Sequence, residues 1–543
     1  MTFHPPVRSR LLAAAALLAV TAMGGCAAPG GAARADGVLT FSTGQQPDCL
    51  DPQVSPAGIT ALINRNVFDS LVEMTPDGRF EPWLARSWTI APDGLAYTFQ
   101  LRDDVKFHDG TPVNAAAVKA TLDHAVDPKT KSFSAKNLIS GYAGAEVTGE
   151  DVVTVRLSKP NSALMQALST PNLGIQSPRS IEGNFANLCW APVGSGPFSF
   201  VRWARNERIS LTRNPAYAWG PPSAKHTGAA ALNGIDFVFM SEAKVRFGAL
   251  TSGQVDVSEA VEPANAKSLA ADGTWQYFHN VEPGMVHYLL FNSTKGKLAD
   301  ERVRTALMRS ADLDALVRTA TFGQLDRAWS PLSPTTIHYD LSTVGSWQVD
   351  RDLAGRLLDE AGWTGRDEDG YRTKNGERLT ISWPYNNATA THLVETLAQG
   401  IQAEAKKAGI EIVRQGRDLG TWTNDLLNGN MDMFNSSYSR NEPDVLRFFF
   451  ATGSTAASGG ANLFKINHPE LDAWLVHANT TVDEKARADD YAKAQRYLIE
   501  HSLVMPIYVP AKLMGASPDV HGLRFDVSGS PLFYDVSLAG ARS

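Results

Sequence analysis

Cysteine is scarce in this chain, with three in 543 residues. That excludes a disulfide scaffold and any multi-cysteine zinc or iron–sulfur framework. A surplus of positive charge is missing as well. The 50 Lys and Arg residues face 57 Asp and Glu, for a formal net charge of −7, and a nucleic-acid-binding surface usually needs the opposite balance. Beyond the N-terminus, no run approaches the roughly 18 apolar residues of a membrane-spanning helix. Enzyme signatures are wanting too. There is no G-x-S-x-G, G-x-x-x-x-G-K-[ST], H-E-x-x-H or C-x-x-C, and Gly194-Ser195-Gly196 lacks the spacing of a nucleophile elbow. The 12 histidines are scattered. No enzyme, cofactor or metal site is therefore expected; a cell-envelope hydrolase built from distant segments is the alternative of another class. Apolar residues at 43% and charged residues at 20% argue for a folded chain of several domains rather than disorder.

The N-terminus reads as an address. Arg8 and Arg10 precede an uncharged run from Leu11 to Met23, too short to span a bilayer and suited to a signal-peptide core. Gly24-Gly25-Cys26 follows and resembles a bacterial lipobox, with Met23 where Leu is commonest. Residues 1–25 are expected to be a signal peptide, Cys26 a lipidated N-terminus, and 26–36 a flexible tether of small residues. The alternative is an ordinary secretory peptide cleaved nearby, with Cys26 incidental. Outside the cytoplasm Cys49 and Cys189 can oxidise. A bridge between them across about 140 residues is expected, with two buried thiols as the alternative.

Periodicity suggests a strand over 37–42 and a helix carrying Leu62, Ile63, Val67 and Leu71. Alternation through Tyr97, Phe99 and Leu101, and again from Val152 to Leu157, predicts half-buried antiparallel strands, with a helix over 115–126 between them. From about residue 286 the texture changes. Strands at 287–292, 379–384 and 410–413 interleave with helices at 300–309, 349–361 and 389–408, which predicts a largely parallel α/β sheet. Short strands return at 505–510 and 523–527.

Segment 81–112, EPWLARSWTIAPDGLAYTFQLRDDVKFHDGTP, resembles the signature of the peptide/nickel family (family 5) of extracytoplasmic solute-binding proteins that serve ABC transporters. Further anchors follow in the expected order: Leu50-Asp51-Pro52, Gly194-Ser195-Gly196-Pro197-Phe198, Asn214-Pro215 with Tyr217, and Gly253-Gln254-Val255-Asp256. Later come Val303-Arg304 with Ala306, Leu357-Leu358, and Ala361-Gly362-Trp363. The resemblance, strongest to dipeptide- and oligopeptide-binding lipoproteins, implies an α/β fold: a bilobed periplasmic-binding-protein clamshell (type II, cluster C) with an extra α+β subdomain. Lobe one would comprise 37–72, 191–285 and 509–543, with the subdomain at 73–190, and lobe two 286–508. It further implies capture of an oligopeptide or peptide-like ligand between the lobes and delivery to ABC permease subunits. The expected protein is a monomer, lipid-anchored to the cell membrane on its extracytoplasmic side, without nucleic acid as a partner. A signalling receptor on the same fold is a further possibility.

Peptide binders of the family place an aspartate in lobe two against the peptide's α-amino group, four residues before a proline. Here the matching stretch is Tyr438-Ser439-Arg440-Asn441-Glu442-Pro443-Asp444, with Ser439 at the aspartate's place. A neutral hydroxyl cannot supply the charge-assisted pair an ammonium needs in a dry cleft. Either Glu442 or Asp444 takes the amine, or Arg440 serves an anionic or chelated non-peptide solute, or Arg440 pairs with a structural acid. Ser436 stands where the family often has a stacking Trp, and Tyr438 could replace it. Trp383 and Tyr385 correspond to loops that face the cleft, and the loop of Gln53 and Ser55 to the place where lobe one offers backbone groups. No histidine lies between 431 and 447, so metal ligation there has no support.

Overall fold

The computed structural model describes residues 36–132, 134–387, 390–458 and 460–539. The signal peptide, Cys26 and nearly all of the tether lie outside the described residues. Two large hydrophobic cores organise the fold. One collects residues from Leu39 to Val257 and again from Met514 to Val536. The other runs from Met285 to Val509.

Lobe one is built on a seven-stranded sheet in the order 276–281, 511–516, 257–258, 38–43, 234–239, 208–213, 198–204. Strand Val38–Thr43 is buried on both faces, as a central strand must be, and runs parallel to 234–239 and 257–258. The other pairings in the sheet are antiparallel. Phe41 packs on Phe237 at 5.7 Å and on Phe533 at 5.4 Å, so the chain's last strands close over its first. The same core continues into a four-stranded antiparallel sheet in the order 85–90, 96–101, 152–157, 142–147. Tyr97, Phe99 and Leu101 point inward and their neighbours outward, the alternation that the sequence displays. Helix Ala115–Val126 covers this sheet, its first turn capped by the Asn114 side chain, which accepts from the Ala117 N–H at 3.1 Å.

The helix expected through Leu71 is shorter, Gly58–Asn64. The Asn66 side-chain amide donates to Leu62 O at 2.9 Å, occupying a last-turn carbonyl. The backbone beyond is claimed from elsewhere: Gly196 N–H donates to Val67 O and Phe198 N–H to Asn66 O. That contact explains the glycines flanking Ser195. A Cβ on Gly194 would lie 2.0 Å from Val67 O, and one on Gly196 2.6 Å from Asn66 O. Ser195 between them is fully buried and donates to Asp69 at 2.8 Å. Tyr217 and Trp219 donate to the same carboxylate at 3.0 and 2.9 Å. Burial pushes the Asp69 carboxyl up to about 6, against the pull of these donors and of the Arg65 charge.

Lobe two differs from the parallel sheet expected of it. Its central strand, Gly284–Phe291, is wholly buried and pairs antiparallel with Met433–Ser439 on one side and Val504–Tyr508 on the other. Among the described residues of lobe two, parallel pairing occurs only where helix His392–Lys407 serves as a crossover, joining 380–382 to 411–413 and 385–386 to 416–417. The central strand instead takes both neighbours from remote segments, which local alternation of strand and helix does not reveal.

Cys49 and Cys189 are bonded to each other, and Leu50 N–H donates to Cys189 O at 3.0 Å. The loop closed spans the whole inserted sheet, a sequence separation of 140. On the chain-entropy model such a closure is worth about 5 kcal/mol. Replacing both cysteines by serine should therefore lower the thermal midpoint of lobe one clearly, and adding reductant should reproduce the shift in the wild type but not in the double variant. Calorimetry with and without reductant checks this; equal midpoints in all samples would refute it.

Candidate functional site: the cleft between the lobes

The chain passes from lobe one to lobe two through residues 282–283 and returns through 509–510. The two passages touch: Val281 pairs with Ala511, and Glu282 N–H donates to Pro510 O at 2.9 Å. Above them opens a cleft of about 2860 Å³, lined by both lobes and by the passages themselves. A drug-sized ligand needs about 300–1,000 Å³, so a peptide of several residues fits with water to spare. A second contact joins the lobes at Ser162, its N–H donating to Asn479 O at 2.9 Å and its hydroxyl to Ala478 O at 3.1 Å.

Four of the sequence-predicted ligand residues line this cleft: Tyr438, Ser439, Arg440 and Asn441. They form the end of strand Met433–Ser439 and the turn after it. Tyr438 is held by Phe448 and Phe449 at ring distances of 5.8 and 5.5 Å. Arg440 has no acid partner and no side-chain hydrogen bond among the described residues, and its Nε is buried without an acceptor. The Asn441 Oδ1 beside it is equally buried and unpartnered. Such groups cost free energy until something satisfies them.

Six others are placed elsewhere. Glu442 and Asp444 lie behind the wall, each 1% exposed. Glu442 is bonded to Arg487, and Asp444 takes Arg447 in a two-point pair at 2.7 Å per bond. A buried carboxylate is tolerable only when so paired, and an incoming amine would have to strip either acid of its counter-charge. Trp383 is sealed at 1% exposure, its Nε1 donating to Asn435 and its ring covered by the Arg414 guanidinium at 4.2 Å. Tyr385 lies under the same guanidinium at 4.7 Å. Gln53 is buried against the carbonyls of Asn172 and Gly174. Ser55 is buried against Asp48 and Thr60. From that loop it is Pro56, followed by Gly58 and Ile59 of the next helix, that reach the cleft.

Other lining residues escaped the sequence. Arg65 follows the helix 58–64 and faces the cleft from lobe one, its guanidinium 5.2 Å above the Trp83 ring and donating to Ser70 and to Ser169 O. Glu282 stands in the outgoing passage and Tyr508 at the start of the return. A polar residue at a lobe-to-lobe junction is a usable signal, and the texture change near 286 marks where to look for it. Arg65 carries no such mark. Among the described residues, no group of three or more His, Cys, Asp or Glu comes together as metal ligands would, and no helix is long and apolar enough to cross a membrane.

The pairing of Glu442 has a measurable consequence. Glu442→Gln takes from the buried Arg487 its bonded acid, leaving Glu484 at 3.6 Å, and should cost about 3–5 kcal/mol of stability, read as a lower unfolding midpoint, with no change in discrimination between free and N-acetylated peptides. A lost preference for free amines at unchanged stability would put Glu442 back in the site.

A family model described as "Bacterial extracellular solute-binding proteins, family 5 Middle" matches residues 79–460. The glutathione-binding protein GsiB of Pectobacterium atrosepticum is 26% identical over 455 residues, covering 82% of this chain and 83% of that one. GsiB of Escherichia coli is 25% identical over 502 residues, covering 89% and 91%. Among solved structures, NikA from Brucella suis in complex with Fe(III)-EDTA aligns with a TM-score of 0.81 at 27% identity, over 92% of this chain and 99% of that one. DppA from Helicobacter pylori, in complex with the peptide STSA, aligns at 0.75 with 22% identity over 92% and 98%, which shows the shared fold. The bilobed architecture and the match across most of the length agree: this chain belongs to family 5 of the bacterial extracellular solute-binding proteins.

Proposed function

We propose that this protein is the receptor of an ABC importer for a small peptide or peptide-like solute that carries a carboxylate, held in the cleft by Arg440. The observation that carries the reading is a partly buried guanidinium without protein partner on the wall between the lobes. Arginine presents five N–H donors in a planar fork that fits a carboxylate at two points. The relatives named for glutathione support the size and class, since glutathione is a tripeptide with two carboxylates. Lobe two, which begins with strand Gly284–Phe291, would close on lobe one and its subdomain by bending at the adjacent passages. The closed monomer would then dock on the permease, and a lipid on Cys26 would keep it at the membrane surface.

A second reading shares the anchor. A metal chelate rich in carboxylates meets the same guanidinium, as the Fe(III)-EDTA complex of the Brucella suis relative suggests.

Mass spectrometry of the solute released on denaturing the purified protein comes first, and an acid of peptide mass is expected. Arg440→Gln should then weaken that solute by about 10–100-fold in calorimetric titration, the worth of a charged hydrogen-bonded pair. Unchanged affinity in the variant would sink the anchor, and a solute lacking any anionic group would sink the ligand class. A carboxylate chelate in place of a peptide would favour the second reading. For the tether, Cys26→Ser should move the protein from the membrane to the soluble fraction and remove the acyl mass from its N-terminus. Unchanged fractionation would leave Cys26 an ordinary residue of a cleaved secretory protein.

A further inference from the structure

We infer that the cleft is built for a zwitterionic head, an ammonium and a carboxylate borne close together on one solute, with Glu282 and Asn441 receiving the ammonium and Arg440 the carboxylate. The inference rests on the reading of the cleft as a solute site anchored by Arg440 and goes further in naming what accompanies the anion.

Three observations meet at one backbone junction. Arg440 N–H donates to Pro283 O at 3.2 Å, and Gly284 pairs with Ser439, so Glu282 and Arg440 leave the backbone on either side of Pro283. Both line the cleft. The junction is tight: a Cβ on Gly284, which has φ +99°, would lie 2.3 Å from Tyr438 O and 2.4 Å from Arg440 N. Only glycine permits that approach, and it fixes where the two charged residues depart.

The charges are complementary yet unspent. The Glu282 carboxylate has no hydrogen bond or ion pair among the described residues, although it is only partly exposed. Its backbone N–H is tied to Pro510 O, so the residue is held while its side chain is free. Among the other cleft acids Glu73 accepts from Ser223, Glu259 from Thr43, and Glu484 lies 2.8 Å from His338; what sets Glu282 apart is its place next to Pro283, the residue to which the Arg440 backbone is bonded. Next to Arg440 in the chain, the Asn441 Oδ1 is a buried acceptor with no donor among the described residues. Tyr508, at the start of the return passage, lines the same cleft. An acid, a neutral acceptor and a guanidinium fork, held at one junction without pairing to each other, present the negative of a zwitterion. The terminal amine of an ordinary peptide would satisfy the first two and leave Arg440 bare. A lone carboxylate would do the reverse. An amino acid joined through its side chain, as in a γ-glutamyl peptide, keeps its amine and α-carboxylate on one carbon and satisfies all three.

The test uses glutathione, its N-acetyl derivative, and the derivative amidated at the γ-glutamyl α-carboxylate, titrated calorimetrically against the mature protein, Glu282→Gln and Arg440→Gln. With the wild type, acetylation and amidation should each weaken binding at least tenfold. In Glu282→Gln the acetylation penalty should shrink towards unity while the amidation penalty persists, and Arg440→Gln should show the converse. Because the ligand modifications act on the unaltered protein, a variant that fails to fold does not remove the test. Amidation mattering while acetylation does not would overturn the zwitterion and leave the carboxylate reading standing. An acetylation penalty undiminished in a folded Glu282→Gln would overturn the role of Glu282. If none of the three compounds bound the wild type, the peptide reading and this inference would fall together.

Discussion

The chain leaves lobe one and returns to it at the same place, and the rest of the molecule is arranged around that constraint. Strand 276–281 and strand 511–516 are partners in one sheet, and their ladder ends at the point where both segments cross to lobe two. Two crossings held side by side allow one lobe to swing against the other, while residues at the crossings themselves move least. A solute held there is held near the pivot. The wall formed by Tyr438 to Asn441 is joined to this pivot through Gly284 and Pro283, so the charged turn and the crossing form one rigid unit.

Charge is layered behind that wall in a way that separates architecture from recognition. Glu442 with Arg487 and Asp444 with Arg447 are closed pairs in the interior. Such pairs contribute little net stability and break at high cost; they fix the turn on which Arg440 stands. Arg440 itself is two residues from Glu442 and four from Asp444, yet among the described residues it pairs with neither acid. The three residues in a row thus divide between a guanidinium offered to the cleft, an amide beside it, and an acid consumed by the core.

Much of this was legible in the amino-acid order and some was not. Alternation located the strands at 96–101 and 152–157, and the helix 115–126 was expected between them, because such patterns are local. The antiparallel partners of Gly284–Phe291 lie some 140 and 220 residues away in the chain, so no local pattern encodes them. Segment 438–441 was found because it carries a departure from a family pattern, Ser439 for aspartate. Glu442 and Asp444 looked like substitutes because they are acids in the right segment; their partners Arg447 and Arg487 become visible only once the helices that bear them pack. Trp383 and Gln53 illustrate the same limit. A residue type suited to binding is equally suited to a core, and burial decides which.

Strand 511–516 has a consequence for how the molecule comes into being. It lies between 276–281 and 257–258, bonded to both, close to the end of the chain. A nascent polypeptide stopped before residue 511 has a gap in its largest sheet and no passage back from lobe two. Lobe one is therefore finished last although it is begun first, and its contacts are among the most distant in sequence the molecule makes, which slows folding.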